Sequence, residues 1–163
     1  MTLRLSLAAA LMAGLACTSA NAITDTVTIN VSGTLTRPPC TMSSSKTLTA
    51  NFGTLRYDQI DAAEMIDLPV TLTCPPNSSL SVSLKASALV TGSTTRAFAG
   101  RDYLAYSMYL KSDNTLLDLS GTKRSLTNQS GTVDLSMKIK LLAWGPVTEG
   151  TFSSSAVLSI EYL

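Results

Sequence analysis

Apolar and polar side chains alternate at both ends of this chain. In the first run the apolar positions are Val27, Ile29, Val31 and Leu35. A period of two is typical of a half-buried β-strand. In the second run the apolar positions are Phe152, Ala156, Leu158, Ile160 and Tyr162. We therefore predict a strand at each end of the chain, an arrangement that favours pairing between molecules.

The sequence between these ends is a series of short strand-like runs separated by turn residues. Pro38-Pro39 and Pro75-Pro76-Asn77 are expected to end strands, because proline cannot donate a ladder hydrogen bond. We predict a short helical turn within 57–65 and an exposed loop over 92–101. The strands are predicted at 31–37, 47–52, 68–74, 80–85, 106–110, 116–119, 133–141 and after Gly150. This spacing predicts a β-sandwich of immunoglobulin-like size.

Residues 1–22 have the organisation of a cleaved signal peptide. Arg4 is the positive region, an apolar stretch covers 5–16, and Ala20-Asn21-Ala22 forms the cleavage site. Removing 22 residues from 163 leaves 141, the size of one exported domain. We place an N-terminal extension at 23–33 and the domain at 34–163. Lipid attachment at Cys17 is the alternative, although the usual leucine three residues earlier is absent.

Two cysteines remain after removal of the leader, Cys40 and Cys74. An even pair in an oxidising compartment predicts a disulfide. It would close a loop of about 35 residues, which is worth roughly 4 kcal/mol of chain entropy. Thiols at this spacing, in a chain without histidine, match neither a CxxC redox motif nor a four-ligand zinc site.

The charge and the residue types of the chain favour no enzymatic site. Without Arg4, the 12 basic residues become 11 and equal the 11 acidic ones, so nothing attracts nucleic acid. The absence of histidine excludes the common nucleophilic triads. We predict no catalytic residue, metal or cofactor. The acidic residues at 58, 61, 64 and 67 lack calcium-loop spacing. Trp144 and the tyrosines at 103, 106 and 109 either form a ligand platform or pack internally.

The sequence resembles the fimbrial subunits of chaperone–usher pili. The run VTINVSGTLTRPPCT, residues 27–41, resembles the N-terminal extension, first strand and first cysteine of type 1 and P-type subunits. Cys74 ends an alternating run, and Phe52-Gly53 supplies the short motif after the first cysteine. Gly150 is fourteenth from the carboxyl end, and the penultimate residue is Tyr162. The likeness spans the whole mature chain and is nearest to tip-fibrillum adaptors, the minor pilins.

The resemblance implies an all-β fold, an incomplete immunoglobulin-like β-sandwich lacking its last strand, with an N-terminal donor-strand extension. The expected donor-strand residues are Val27, Ile29, Val31 and Gly33. The expected groove and chaperone-binding residues of the terminal strand are Gly150, Phe152, Leu158, Ile160 and Tyr162. With only Ser32-Gly33 before the predicted first strand, the extension is expected to serve another subunit.

The function implied is that of a structural, non-enzymatic pilus subunit contributing to fimbria assembly and cell adhesion. The implied partners are a periplasmic chaperone, an outer-membrane usher and neighbouring pilin subunits, without nucleic acid or membrane insertion. The route is export through the periplasm to the cell surface. The alternatives are a sugar-binding tip adhesin and a monomeric envelope β-sandwich, lipid-anchored or not. Native size and glycan binding distinguish them.

Overall fold

The structure is a computed structural model, and it describes residues 25–35 and 38–163. The predicted signal peptide lies outside the described residues. The chain divides into two compact units, Met1–Leu35 and Thr36–Leu163. In the first unit, residues 25–35 form neither strand nor helix. The strand predicted over 31–37 is therefore absent from residues 31–35, and 36–37 lie outside the described part.

Within residues 38–163 the second unit contains eight strands and one short helix, which confirms the all-β prediction. A 3₁₀ helix at Tyr57–Ala62 confirms the helical turn predicted within 57–65. The strands are β1 (Thr41–Met42), β2 (Ile66–Leu68), β3 (Thr71–Ala86), β4 (Ala97–Arg101), β5 (Leu104–Leu110), β6 (Arg124–Asp134), β7 (Met137–Ala143) and β8 (Ala156–Tyr162).

The strands form two antiparallel sheets. In the first sheet β3 is central, with β6 along one edge. The other edge of β3 is shared, because Leu72 pairs with Met42 of β1 and residues 80–86 pair with β8. The second sheet has the order β2-β7-β5-β4. The inward-facing side chains of both sheets form the main core, which includes Leu84, Ala97, Leu104, Tyr106, Met108, Leu119 and Leu141.

The prolines at 75 and 76 do not end a strand, which corrects the prediction. β3 continues through them to Ala86. The ladder to β6 shifts register between Cys74 and Ser78 and again before Leu80, and Asn77 has a φ of 60°. A bulge tolerates proline because the ladder is interrupted there anyway. The predicted runs 68–74 and 80–85 are therefore largely one strand.

The long alternating run at 133–141 is divided between the two sheets. β6 ends at Asp134 and β7 begins at Met137. At the crossing, the amide of Leu135 donates to the carbonyl of Val70 (2.8 Å) and the amide of Val70 donates to Ser136 Oγ (3.1 Å). Alternation persists because a residue facing inward from either sheet enters the same core.

The exposed loop predicted over 92–101 is wrong at its end, where β4 lies. Ala97 and Ala99 are buried, and the turn into β5 uses left-handed backbone at Gly100 (φ 87°) and Tyr103 (φ 62°). The strand predicted at 116–119 is also wrong, since Leu116 and Ser120 each make an isolated bridge to a different sheet. That segment is a crossing between sheets.

Candidate functional site

The outer edge of β8 is open. β8 pairs along one side with β3, and within residues 25–35 and 38–163 no strand pairs with its other side. Ala156, Leu158 and Ile160 are half-buried on the inner face, and Tyr162 is 44% exposed. The outward side chains are exposed, namely Val157, Ser159 and Glu161. We call this side of Ala156–Tyr162 the open edge.

A second segment has the burial of a strand but no ladder. Leu48, Ala50 and Phe52 are half-buried while their neighbours at 47, 49 and 51 are exposed. Within the described part of the chain, residues 48–52 make no backbone–backbone hydrogen bond. The strand predicted at 47–52 is therefore not formed, although its side chains alternate in burial as those of a strand do. We call residues 47–52 the unpaired run.

The unpaired run is connected to both sheets of the domain. The run follows β1, which shares an edge of β3 with β8, and the amide of Ser43 donates to the carbonyl of Thr71 (2.9 Å). It leads to the 3₁₀ helix, where Asp61 Oδ1 accepts from the amide of Ala143 (3.0 Å). Both segments pack on the main core cluster. The two segments therefore contribute side chains to the same main core cluster, namely Leu48, Ala50 and Phe52 from the run and Ala156 and Leu158 from β8.

A cleft of about 430 Å³ lies beside the segment that leads into β8. Its apolar lining comes from the 3₁₀ helix and the residues just before it, from β5 and β7, and from the segment before β8, namely Leu55, Ile60, Leu104, Leu141, Val147 and Phe152. The polar rim includes Arg56, Asp58, Arg101 and Glu149. We call this the terminal cleft. Its lining is thus part apolar and part charged.

Arg101 explains why Gly150 occupies its position. Arg101 Nε donates to the carbonyl of Thr151 (2.8 Å). A Cβ atom on Gly150 would lie 1.9 Å from Arg101 Nη2, and Gly150 has a φ of 130°. No other residue fits there without displacing the guanidinium. The sequence drew attention to Gly150 but contains no local signal for Arg101, which contacts it from 49 positions away.

Two polar groups at this end of the domain are fixed by local partners. The guanidinium of Arg56 bonds the carboxylate of Asp58 (2.8 Å) and lowers the pKa of Asp58 below its ordinary value. Burial raises the pKa of the Tyr106 hydroxyl, which donates to the carbonyl of Ser155 (3.1 Å). The Tyr106 ring is therefore held at the level where β8 begins.

The predicted disulfide is present between Cys40 and Cys74. Thr41 pairs with Thr73, so the bond joins the residue before β1 to β3. Both cysteines are buried in a small cluster with Leu72, Leu80 and Val133. Cys74 lies within β3 rather than at the end of a strand. The bond fixes the point at which the chain enters β1.

The predicted donor residues lie in the first unit, and all are exposed there. The exposed fractions are 85% for Val27, 81% for Ile29 and 91% for Val31, and no atom lies within 4 Å of a Cβ built on Gly33. The predicted groove residues lie in the second unit. Of these, Leu158 and Ile160 share one face of β8, with Tyr162 at its end. Phe152 and Gly150 precede the strand and line the terminal cleft.

The aromatic residues are only partly brought together. Trp144 makes edge-on contacts with Phe98 and Tyr103 at centroid distances of 6.1 Å. Tyr106 is in the core instead. In the described residues no group of three or more His, Cys, Asp or Glu side chains is arranged to hold a metal ion. Across the same residues, none of the helices has the length and apolar character needed to cross a membrane.

Comparison with known proteins gives a family and a fold. The family described as Spore Coat Protein U domain matches residues 14–158. A search of curated protein sequences returned no match. Three solved structures share the fold, which confirms the predicted resemblance to chaperone–usher pilus subunits at the level of architecture.

The first is the P pilus rod subunit PapA, with a TM-score of 0.63 and 19% identity, covering 77% of this chain and 100% of that one. The second is a chaperone–usher pilus, with a TM-score of 0.62 and 16% identity, covering 85% and 96%. The third is the P pilus adaptor subunit PapF, with a TM-score of 0.57 and 18% identity, covering 77% and 97%.

Proposed function

The chain belongs to the Spore Coat Protein U domain family, and on that premise we propose that it is a structural subunit of a chaperone–usher pilus. Each subunit would donate the extension, residues 23–33, to the open edge of the next. The proposal rests on two features that occur together: an alternating segment that forms no strand in its own unit, and a domain whose β8 has an open edge. Both halves of a strand exchange are then present in one chain.

Strand addition explains how such a junction would hold. Main-chain hydrogen bonds to β8 supply affinity, and alternate side chains supply specificity. Val27, Ile29 and Val31 would leave water and pack beside the inner face of β8. Burying each aliphatic side chain contributes roughly 1.5–3 kcal/mol. The exposure of all three supports a role outside their own domain.

The distance that the chain would have to return along β3 favours donation of the extension to another subunit. This reason differs from the one drawn from the sequence, which placed only Ser32-Gly33 before the first strand. β1 begins at Thr41, so many more residues than Ser32-Gly33 precede it. An extension antiparallel to β8 would finish level with Ala86 and then return to Cys40, level with Cys74. That return is about 40 Å along β3. Seven residues after Gly33 reach about 25 Å at most.

A synthetic peptide of residues 23–35 provides the test. Added in excess to the purified full chain, it should cap the open edge, raise the melting temperature by several degrees and shorten any polymers. The control is a scrambled peptide of the same composition. A chain that is monomeric by native mass and unaffected by the peptide would contradict the proposal and favour a monomeric envelope protein.

A periplasmic chaperone is the proposed partner before assembly, since an uncovered open edge promotes aggregation. We expect Tyr162→Ala to reduce co-purification with the chaperone several-fold, because Tyr162 ends the inner row of β8. Glu161→Ala, on the outward face of the same strand, is the matched control. Equal recovery of both complexes would argue against a chaperone contact along the inner row. The usher, the cell-surface location and the role in adhesion follow from the same proposal.

A further inference from the structure

We propose that the outer face of the second sheet carries a binding site for an acidic oligosaccharide. One pyranose ring stacks on the rings of Tyr103 and Trp144, and a carboxylate or sulfate on a neighbouring sugar reaches the ammonium group of Lys140. The site belongs to the sheet β2-β7-β5-β4, which does not contain β8. The inference therefore goes beyond the proposed function and does not depend on strand exchange.

An apolar patch covers one end of this outer face. Four side chains that belong to neither core cluster make it up, namely Phe98, Tyr103, Leu142 and Trp144. They face outward because their sequence neighbours on β4, β5 and β7 face the main core. The Trp144 ring contacts both the Phe98 ring and the Tyr103 ring, each at a centroid distance of 6.1 Å. An apolar patch on an outer face marks an interaction site. We call these four side chains the outer patch.

Tyr103 occupies a backbone position that suits glycine or asparagine. It lies in the turn between β4 and β5 with a φ of 62°, in the left-handed region that a bulky side chain rarely adopts. Its ring lies on the backbone of Gly145, where an added Cβ atom would come within 2.5 Å of Tyr103 Cδ1. The chain thus keeps an aromatic ring at a strained turn and has glycine at 145 to make room for it. Strain of this kind is found at functional sites.

The size and shape of the outer patch favour a small ligand with one apolar face. Trp144 is 42% exposed and Tyr103 is 44% exposed, which leaves about 200 Å² of ring surface in water. A stable protein interface buries about 800 Å² on each partner, so the patch is too small for one. The planes of the two rings meet at 65° and form a corner. A pyranose fits such a corner, because the C–H groups of one face pack on a ring while the hydroxyls stay in water.

Two lysines extend the site along β7. Lys138 and Lys140 lie on the outward face, since Ile139 between them packs on the main core. Lys140 is four residues from Trp144, about 13 Å along the strand, a distance that an oligosaccharide spans. Lys138 Nζ donates to Asn114 Oδ1 (3.3 Å). Within the part of the chain that the structure describes, Lys140 forms no salt bridge. Lys140 is therefore the cation that an anionic sugar would meet.

The carboxylates nearest to this strand have other partners. Asp67 on the neighbouring strand β2 is paired with Lys111. Asp61 accepts a hydrogen bond from the amide of Ala143 (3.0 Å). Neither carboxylate neutralises Lys140, so the lysine end of the site favours an anion and the aromatic end favours the face of a sugar ring.

Trp144 is the single tryptophan of the chain, so its fluorescence reports directly on the site. The full chain is titrated with a hyaluronan hexasaccharide, which has a carboxylate on alternate sugars, and with the same oligosaccharide after its carboxyl groups are reduced to alcohols. We expect both to change the emission of Trp144, and the acidic form to bind about tenfold more tightly at low salt. At about 1 M salt this difference should disappear, because the ammonium group is exposed and screened. Unchanged emission with both, together with no binding on an array of acidic and neutral glycans, would overturn the inference.

The aromatic corner is tested by replacing Tyr103. Tyr103→Asn removes the ring but suits the left-handed backbone, so we expect binding to fall at least tenfold while the melting temperature stays the same or rises. Tyr103→Phe keeps the ring and should bind within about two-fold of the natural chain. Leu116→Asn is the matched control, because Leu116 is 43% exposed and lies beside Tyr109 at the other end of β5. Calorimetry measures the affinities independently of the emission of Trp144. Full binding by Tyr103→Asn would show that the ring serves no ligand.

The charge preference has a variant of its own. Lys140→Gln should bind the acidic and the reduced hexasaccharide equally, at the affinity that the natural chain has for the reduced one. Lys123→Gln is the control, since Lys123 pairs with Glu161 beside the other sheet (2.7 Å). If Lys140→Gln kept the preference for the acidic form, the assignment of Lys140 would be wrong. Polymer formation should be the same in both lysine variants and in the natural chain, which separates this site from strand exchange.

Discussion

Ile29→Asp in the full chain is expected to abolish polymer formation while leaving the domain folded. The side chain is 81% exposed in its own chain, so the substitution removes no packing there. In a neighbouring subunit it would place a carboxylate beside the half-buried inner face of β8, where it would have no partner. That costs several kcal/mol. Because Ile29 lies between Val27 and Val31, fraying at one end of the donated strand would not release it.

The matched control is Thr28→Asp, which adds the same charge one residue away on the outward face. We expect the Thr28→Asp protein to assemble to nearly the natural length. Polymer length by light scattering and electron microscopy, together with circular dichroism of the unassembled protein, distinguishes assembly from folding. If the two variants assembled equally well, Ile29 would not be part of the junction. If Ile29→Asp lost its folded spectrum, the extension would belong to its own domain.

Several strands could be predicted because their patterns are local. β5 follows from its alternating apolar residues, and the 3₁₀ helix follows from a short polar segment. β4 was missed because alanine and glycine give a weak strand signal, although Ala97 and Ala99 are buried. The division of 133–141 could not be predicted, since alternation is the same on both sides of a crossing between facing sheets. Pro75 and Pro76 led to a wrong prediction of a strand end, because proline is typical both of bulges and of strand ends.

The candidate site shows a different limit of prediction. The unpaired run was predicted as a strand and has the burial of one, yet in the described part of the chain it has no ladder. A pattern reports which side chains face the core and says nothing of whether a partner strand is present. The contact of Arg101 with Gly150 depends on the packing of distant segments, so the sequence indicated the glycine without its cause.

Removal of the disulfide is the second change with a large expected effect. The Cys40→Ala and Cys74→Ala double variant should lose about 4 kcal/mol of unfolding free energy, given the loop that the bond closes. Urea unfolding of the monomer without added peptide measures it, so that a change in peptide affinity does not enter the value. Wild-type protein treated with reductant is the control, because it loses the bond while keeping both side chains. Alanine avoids placing a hydroxyl in the apolar cluster around Leu72 and Leu80.

The same change should also weaken acceptance of the donor strand. β1 consists of two residues, and the disulfide holds its start against β3. The unpaired run follows directly from β1 and has no ladder of its own to position it. Without the bond, part of the binding energy would be spent ordering this segment. We therefore expect the double variant to bind the peptide of residues 23–35 about tenfold more weakly, measured at a temperature where the domain is still folded. Unchanged affinity would mean that β8 alone recognises the donor and that the unpaired run contributes nothing to the junction.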